Sequence, residues 1–335
     1  MERGDEEGGA VDEDRLGRLR EHAERQDDPA PRADVPNRHV ISLSETKVPY
    51  CELPGGSLYL RPVVRRAACG DTDRLPGMRL GRIASPDGVA FVSIEGEGDA
   101  ATAKEIAEHP FGTPTFTGRS WPLADVRLLA PILASKVVCV GRNYAAHAAE
   151  SGNEVPDEPV IFLKPNTSIV GPGAPIVLPP SSGLVHHEAE LAVVIGRPCK
   201  DVPAAKALDV VLGYTVANDV SARDHQQQDG QWTRAKGHDT FCPLGPWIET
   251  NIDPTDLEIS AQVDGQTRQR SRTSLMVHDI PKLIEWISAV MTLLPGDVIL
   301  TGTPEGVGPI VDGNTVSITV EGIGTLTNPV TAKRR

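Results

Sequence analysis

Two consecutive apolar runs place acidic residues at the ends of buried strands, and this pattern constrains the fold more than any other. Residues 191–196 and 210–217 are rich in valine, isoleucine and leucine, a composition typical of buried β-strands. Glu188 and Glu190 lie at the start of the first strand, whose two-residue period places both on one face. Asp219 follows the second run. Buried carboxylates are costly unless a counter-charge compensates them, so the pattern predicts a cation site.

The predicted ligands are all carboxylate oxygens. Such a set favours Mg²⁺ or Mn²⁺, because zinc and copper sites usually recruit histidine or cysteine. Glu188, Glu190 and Asp219 are therefore the predicted metal ligands, with coordination positions left open for water and a chelating substrate. A solvated strand edge is the alternative interpretation. His186 and His187 point to opposite faces of a strand, so at most one could join the ligands, and packing is favoured for both.

Composition and charge narrow the class of protein. Residues are 39% hydrophobic but only 4% aromatic, and 32 glycines with 29 prolines indicate a β-rich chain with many turns. The net charge of −13 argues against nucleic acid or an anionic membrane as a partner. No apolar run approaches the roughly 20 residues of a membrane helix, and the start lacks the features of a secretory signal. We expect a cytoplasmic protein that acts on a small molecule.

The chain divides into regions by composition. Residues 1–77 are mostly polar, without a sustained pattern, and we expect either a disordered N-terminal extension or a start codon assigned too far upstream. Residues 78–130 are expected to form a small N-terminal β domain. Residues 131–335 are expected to form the catalytic domain.

Local patterns predict elements within these regions. Residues 78–84 and 88–95 read as two strands of a hairpin. Residues 102–109 are interpreted as a short helix. Residues 274–294 carry apolar side chains at helical spacing and predict an amphipathic helix.

Further polar residues are candidates for chemistry. His147 and Glu150 share a face of a predicted short helix, and a carboxylate that holds an imidazole in one tautomer makes it a general base. By spacing alone, an exposed surface pair is the more common arrangement. Lys236 could pair with a carboxylate substrate or stabilise an enolate, and Gln226 could donate to a substrate oxygen. Taken alone, Lys236 is more commonly a surface lysine, and a run of three glutamines in a loop is weak evidence. The turn at residues 301–308 is suited to binding an anion through backbone N–H groups, but it matches no nucleotide-binding motif.

The motifs together resemble the fumarylacetoacetate hydrolase family, in particular bacterial 2-hydroxyhepta-2,4-diene-1,7-dioate isomerases and acylpyruvase or oxaloacetate decarboxylase types. The matching pieces follow in order from about Met78 to the C-terminus. They are Gly141-Arg142-Asn143-Tyr144 with His147 and Glu150, Phe162-Leu163-Lys164-Pro165, His187-Glu188-Ala189-Glu190-Leu191, Asn218-Asp219-Val220-Ser221-Ala222-Arg223-Asp224, Ala235-Lys236 and Thr301-Gly302-Thr303-Pro304.

This resemblance implies a mainly β fold with some α-helix, a mixed β-sandwich roll preceded by a small N-terminal β domain, and a homodimer. It implies Mg²⁺ at the carboxylates with Lys236 beside it, and a lid that carries His147 and Glu150. It also implies four substrate contacts: Arg142, Tyr144, Gln226 and Thr303.

The family's chemistry implies one reaction scheme. A metal chelates the 2-oxo or enol carboxylate of the substrate and, with Lys236, stabilises an enolate. Water activated by His147 would give carbon–carbon hydrolysis of an acylpyruvate, whereas loss of CO₂ or a proton shift would give decarboxylation or the isomerisation used in aromatic catabolism. The His147–Glu150 pair favours hydrolysis. Oxaloacetate decarboxylase, dienoate hydratase and a non-catalytic binding module remain alternatives.

Overall fold

The computed structural model describes residues 77–333. The predictions for residues 1–76 lie outside the described residues. Within the described range, no helix is long and apolar enough to cross a membrane.

The described chain is mainly β, with short helices between the strands. The strands are β1 Arg79–Ser85, β2 Gly88–Glu95, β3 Thr102–Ile106, β4 Phe116–Pro122, β5 Arg127–Leu128, β6 Val137–Gly141, β7 Val160–Lys164, β8 Ile169–Val170, β9 Ile176–Leu178, β10 Val185–His187, β11 Ala189–Ile195, β12 Val211–Asn218, β13 Ser221–Ala222, β14 Cys242–Glu249, β15 Glu258–Val263, β16 Gln266–Arg272, β17 Val298–Leu300, β18 Gly308–Pro309, β19 Thr315–Val320 and β20 Gly324–Ala332. The α-helices are α1 Ala145–Glu150, α2 Arg223–Asp229, α3 Thr233–Lys236 and α4 Ile280–Val290.

The largest sheet has 12 strands and runs β4-β3-β2-β1-β14-β12-β11-β17-β6-β7, with β5 beside β1 and β8 beside β14. Strands β1 and β2 form the predicted hairpin, in which Ser85 faces Gly88. Strand β1 also pairs with β14, where Leu80 faces Ile248. The N-terminal strands therefore continue the sheet of the later residues.

The interpretation of residues 102–109 as a helix is wrong, because Thr102–Ile106 is a strand. It pairs with β2 on one side and β4 on the other. Alanine, lysine and glutamate favour a helix locally, but that preference is weak, and pairing on both sides overrides it.

Strand β11 is buried on both of its faces. Leu191, Val193 and Ile195 belong to the core that includes the second sheet, β16-β15-β19-β20-β9, and helix α4. Ala192 and Val194 belong to a separate core, which also includes Leu80 of β1 and Ile248 of β14. Two apolar layers on either side of one strand give the expected mixed β-sandwich with some α-helix.

The predicted amphipathic helix is confirmed, with shorter bounds than residues 274–294. Helix α4 begins after Asp279, whose side chain accepts a hydrogen bond from the Lys282 N–H at 2.9 Å. Leu283, Ile284 and Ile287 are fully buried on its inner face. Their burial in the core that β11 shares follows from the helical spacing read in the sequence.

Candidate active site

The register of β11 and β12 brings the three predicted ligands together. Ala189 faces Asn218 across the strand pair, so Glu188 and Asp219 adjoin one another just beyond it. The Asp219 N–H donates to the Glu188 carbonyl oxygen at 2.9 Å. One carboxylate oxygen each from Glu188, Glu190 and Asp219 lies within 4.8 Å of the other two, and all three residues are buried. Side chains alternate along a strand, so Glu188 and Glu190 share a face, and the start of β11 lies beside the end of β12. The three carboxylates therefore form one acidic cluster.

Three basic side chains contact the acidic cluster. Lys236 Nζ lies 2.8 Å from Glu188 Oε2 and 2.6 Å from Asp219 Oδ2. Lys164 Nζ lies 2.5 Å from Asp219 Oδ1, and the Arg223 guanidinium lies 2.5 Å from Glu188 Oε1. Both Lys164 and Arg223 stand in motifs that were read in the sequence, yet neither was assigned a role there.

Burial and charge set the ionisation of the cluster. Burial alone would raise the pKa of Glu188, but the charges of Lys236 and Arg223 outweigh it and hold that pKa below its ordinary value. Burial raises the pKa of Glu190 well above its ordinary value, and the charges of Asp219 and Glu188 raise it further. Glu190 Oε2 accepts a hydrogen bond from the Gly302 N–H at 2.7 Å. Lys164, Lys236 and Arg223 balance the charge of the three carboxylates, and the carboxylate oxygens are the donors that Mg²⁺ and Mn²⁺ prefer.

The cluster opens into a cavity of about 550 Å³. Nine of the ten sequence-predicted site residues line it. They are Glu188, Glu190, Asp219, Lys236, His147, Glu150, Arg142, Gln226 and Thr303. One cavity therefore brings together residues that are far apart in the sequence.

Tyr144 is the predicted residue that does not line the cavity. Its side chain is buried, and its hydroxyl has no hydrogen-bond partner among the described residues. Burial, together with the charges of Glu190 and Glu305, raises the pKa of this hydroxyl. Its predicted contact with substrate stays a prediction.

His147 and Glu150 both lie on α1, as the spacing predicts. His147 Nδ1 lies 3.5 Å from Glu150 Oε2, the long limit of a hydrogen bond. The Glu150 carboxylate also accepts from the Gly306 N–H, at 3.2 Å through Oε1 and 3.1 Å through Oε2. Glu150 is thus shared between the imidazole and the turn at residues 301–308.

The backbone N–H groups of this turn bind carboxyl groups, as its composition suggested, and these belong to side chains of the chain itself. The Gly302 N–H binds Glu190, and the Gly306 N–H binds Glu150. Both glycines have positive φ, 100° and 90°, which other residues adopt rarely. The turn therefore joins a predicted metal ligand to the His147–Glu150 pair.

Gln269 holds this turn against strand β11, and no sequence motif pointed to this role. Its Nε2 donates to Thr303 Oγ1 and to the Pro304 carbonyl oxygen, each at 2.8 Å. Its Oε1 accepts from the Ala189 N–H at 3.0 Å. The only available signal was its position between exposed arginines of β16, where alternation turns it inward.

The two adjacent histidines take different positions. His187 is fully buried, with Nδ1 3.1 Å from Gln269 Oε1. His186 lines the cavity, where burial and the charge of Arg223 lower its pKa to about 4. Neither belongs to the acidic cluster among the described residues.

Comparison with known proteins identifies the family. The model of the fumarylacetoacetate (FAA) hydrolase C-terminal family matches residues 136–331, and the model described as Rv2993c-like, N-terminal, matches residues 78–131. Protein Rv2993c of Mycobacterium tuberculosis is 72% identical over 76% of this chain and 99% of its own length. The crystal structure of 5-carboxymethyl-2-hydroxymuconate delta-isomerase from Mycobacterium smegmatis is 75% identical, with a TM-score of 0.73, covering 76% of this chain and 100% of that one.

Relatives with lower sequence identity are named for other reactions. Oxaloacetate tautomerase FAHD1 of Arabidopsis thaliana is 49% identical over 56% of this chain and 87% of its own length. Fumarylpyruvate hydrolase from Pseudomonas aeruginosa, solved with Mn²⁺ and pyruvate, is 34% identical, with a TM-score of 0.58 over 62% of this chain and 92% of that one. From the matched residues and these identities, this chain belongs to the fumarylacetoacetate hydrolase family and is an enzyme.

Proposed function

We propose that this enzyme depends on a divalent metal and acts on 2-oxo or enol carboxylic acids, with hydrolysis of the carbon–carbon bond of an acylpyruvate as its main reaction. The observation that carries this proposal is the convergence, in one cavity, of the three buried carboxylates, Lys236 and the His147–Glu150 pair. Nothing in the reaction requires a nucleotide or a nucleic acid.

The acidic cluster supports the metal. Mg²⁺ or Mn²⁺ at Glu188, Glu190 and Asp219 would chelate the 2-oxo acid group of the substrate and stabilise negative charge on its 2-oxo oxygen. The three carboxylates are balanced by Lys164, Lys236 and Arg223, so a bound dication leaves an excess of positive charge. A dianionic substrate would neutralise that excess, which favours dicarboxylates. The Mn²⁺ and pyruvate in the fumarylpyruvate hydrolase structure are consistent with this arrangement.

Lys236 supplies a fixed positive charge beside the cluster. Burial would lower its pKa, but the charges of Asp219 and Glu188 outweigh burial and raise it. The side chain therefore stays an ammonium ion. From this position it would donate a hydrogen bond to the oxygen on which the enolate charge develops.

His147 and Glu150 supply the base for hydrolysis. His147 takes a proton from a water molecule while Glu150 holds the imidazole, and the resulting hydroxide adds to the 4-oxo carbon of the acylpyruvate. The bond between C3 and C4 then breaks, and its electron pair forms the enolate of pyruvate. A proton returned to C3 completes pyruvate, and the acyl part leaves as a carboxylic acid. Arg142, Gln226 and Thr303, in the cavity wall, are the expected substrate contacts.

A second candidate is a proton shift on the same enolate, or its formation by loss of CO₂. The M. smegmatis isomerase and the Arabidopsis tautomerase have names of this kind and share 75% and 49% identity with the chain. Lys236 and the acidic cluster would serve this chemistry equally. It differs from hydrolysis in needing no activated water.

A substrate panel tests the proposal. The protein, loaded with Mg²⁺ or Mn²⁺, is incubated separately with an acylpyruvate, oxaloacetate and 5-carboxymethyl-2-hydroxymuconate. Pyruvate and CO₂ are measured as products, and isomerisation, which leaves the mass unchanged, is followed by ultraviolet absorbance. We expect fastest turnover of the acylpyruvate, with pyruvate as a product. Faster isomerisation, or faster loss of CO₂ from oxaloacetate, would favour the second candidate, and no turnover of any 2-oxo acid would overturn both. The expected homodimer is checked by analytical ultracentrifugation, and the expected cytoplasmic location by fractionation of cells.

A further inference from the structure

One wall of the cavity is aromatic, and neither the metal nor the proposed base accounts for it. Phe162 on β7 and Trp232, just before α3, both line the cavity. Their ring centroids are 5.1 Å apart with an interplanar angle of 75°, an edge-to-face contact. We call these two side chains the aromatic wall.

The position of Trp232 is fixed from behind by a glycine. A Cβ on Gly141 would lie 2.6 Å from the indole ring, closer than any real contact. The bare backbone at the end of β6 therefore leaves the space that the ring fills. A side chain at residue 141 would push the ring away without removing a polar group.

The aromatic wall adjoins the proposed catalytic lysine. The Lys236 N–H donates to the Trp232 carbonyl oxygen at 2.9 Å, because both belong to the turn of α3. Lys236 Nζ lies 5.0 Å from the centroid of the Phe162 ring. On the other side, the Arg142 guanidinium lies 6.0 Å from the Trp232 ring centroid, within range of a cation–π contact. Pairwise contacts thus link the acidic cluster to Lys236, Lys236 to the aromatic wall, and the aromatic wall to Arg142.

We propose that Trp232 determines the specificity of the enzyme for the substrate's tail. A substrate whose 2-oxo acid head lies at the acidic cluster passes Lys236 and lays a planar, unsaturated tail along the indole ring. Arg142, beside the same ring, pairs with a carboxylate at the end of that tail. This inference rests on the proposed function, because it takes the head of the substrate to lie at the carboxylates.

The test compares ligands with the same head and different tails. Oxaloacetate has no unsaturated tail, whereas fumarylpyruvate has a planar one, and oxalate is a head without a tail. In Trp232→Leu, kcat/KM for fumarylpyruvate relative to oxaloacetate should fall about tenfold, the order of a lost aromatic contact. Trp232→Phe keeps a flat ring and should retain most of the ratio, while Gly141→Ala should lower it. Oxalate affinity, measured by calorimetry with Mg²⁺, should change little in all three.

Trp121→Leu is a matched control, because Trp121 also lies near an arginine (Arg119, at 5.9 Å) but does not line the cavity. It should leave the ratio of kcat/KM for fumarylpyruvate to that for oxaloacetate unchanged. An unchanged ratio in Trp232→Leu, with oxalate still bound, would overturn the inference alone. Equal losses for oxalate and fumarylpyruvate would assign Trp232 to the framework of the site and also overturn it. Failure of oxalate to bind the metal-loaded native protein would instead contradict the proposed function.

Discussion

Replacing Glu190 by glutamine should remove most of the stabilisation that metal gives to the protein. Glutamine has nearly the same shape, and its side-chain oxygen can still accept from the Gly302 N–H, which now binds Glu190 at 2.7 Å. The substitution thus removes one charge from the acidic cluster and leaves the packing. It separates the metal-binding role of Glu190 from its role in the fold.

The pKa of Glu190 decides whether the substitution stabilises or destabilises the metal-free protein. This pKa is raised in the folded state, first by burial and then by Asp219 and Glu188. A raised pKa stabilises the fold below the ordinary value for a glutamate, and that stability is lost as the pH rises through the folded-state pKa. At neutral pH, above the ordinary pKa of a glutamate, the Glu190 carboxyl group therefore destabilises the metal-free protein, whereas glutamine does not titrate. Metal-free Glu190→Gln should melt at a higher temperature than the metal-free native protein.

Mass action gives the free energy by which bound metal stabilises the folded protein. Free metal at about 100 times its dissociation constant stabilises the native state by ~2.7 kcal/mol, or roughly 5–10 °C in melting temperature for a domain of this size. If losing one ligand weakens binding about 100-fold, the same metal concentration adds only ~0.4 kcal/mol, or roughly 1 °C. Thermal melting by circular dichroism compares the native protein with Glu190→Gln, each in EDTA and in Mg²⁺ or Mn²⁺.

Glu150→Gln is the matched control, because Glu150 lines the same cavity but lies outside the acidic cluster. It should keep the native shift with metal. The reasoning is refuted if Glu190→Gln gains as many degrees from metal as the native protein, or if the native protein gains none.

Three further predictions follow from the site and the core. His147→Ala should slow acylpyruvate hydrolysis about 10²–10⁴-fold, the range for one general base, and should slow oxaloacetate decarboxylation much less. Glu150→Gln should show the same selectivity more mildly. Equal losses of both reactions in stopped-flow assays would instead indicate that α1 only excludes solvent. Asn143→Ala should destabilise the fold by about 1–3 kcal/mol in urea unfolding, because the buried Thr301 carbonyl oxygen loses its donor at 2.8 Å; an unchanged midpoint would show that water replaces it. Leu283→Ala should cost about 2–5 kcal/mol through a cavity under α4 while kcat stays unchanged; a fall in kcat would mean that this helix shapes the site.

Features with a local period were predictable from the sequence. The hairpin of β1 and β2, the helix α4 and the buried strands β11 and β12 each show their period in a short window. The acidic cluster was predictable for the same reason, because its members stand at the start of one strand and after the end of its neighbour. The strand at Thr102–Ile106 was missed, because only its partners on both sides decide its conformation.

Contacts between distant segments were not predictable. Lys164 and Asp219 are 55 positions apart, and no local pattern indicates that β7 brings this lysine to the acidic cluster. Gln269 reaches Thr303 and Ala189 from a different sheet. The substrate contact that the motif implied for Tyr144 stays a prediction, because the side chain is buried and is not among the residues that line the cavity. Side-chain direction depends on the whole fold, which a motif does not encode.

The most direct test of metal-dependent 2-oxo acid chemistry is the rate of acylpyruvate cleavage before EDTA treatment, after it, and after the return of Mg²⁺ or Mn²⁺. The buried carboxylates of Glu188, Glu190 and Asp219 predict that EDTA abolishes pyruvate release and that either metal restores it. Glu190→Gln, run in parallel, should not recover at the metal concentration that restores the native protein. Full pyruvate release in EDTA, with no metal detected in the protein, would contradict the account.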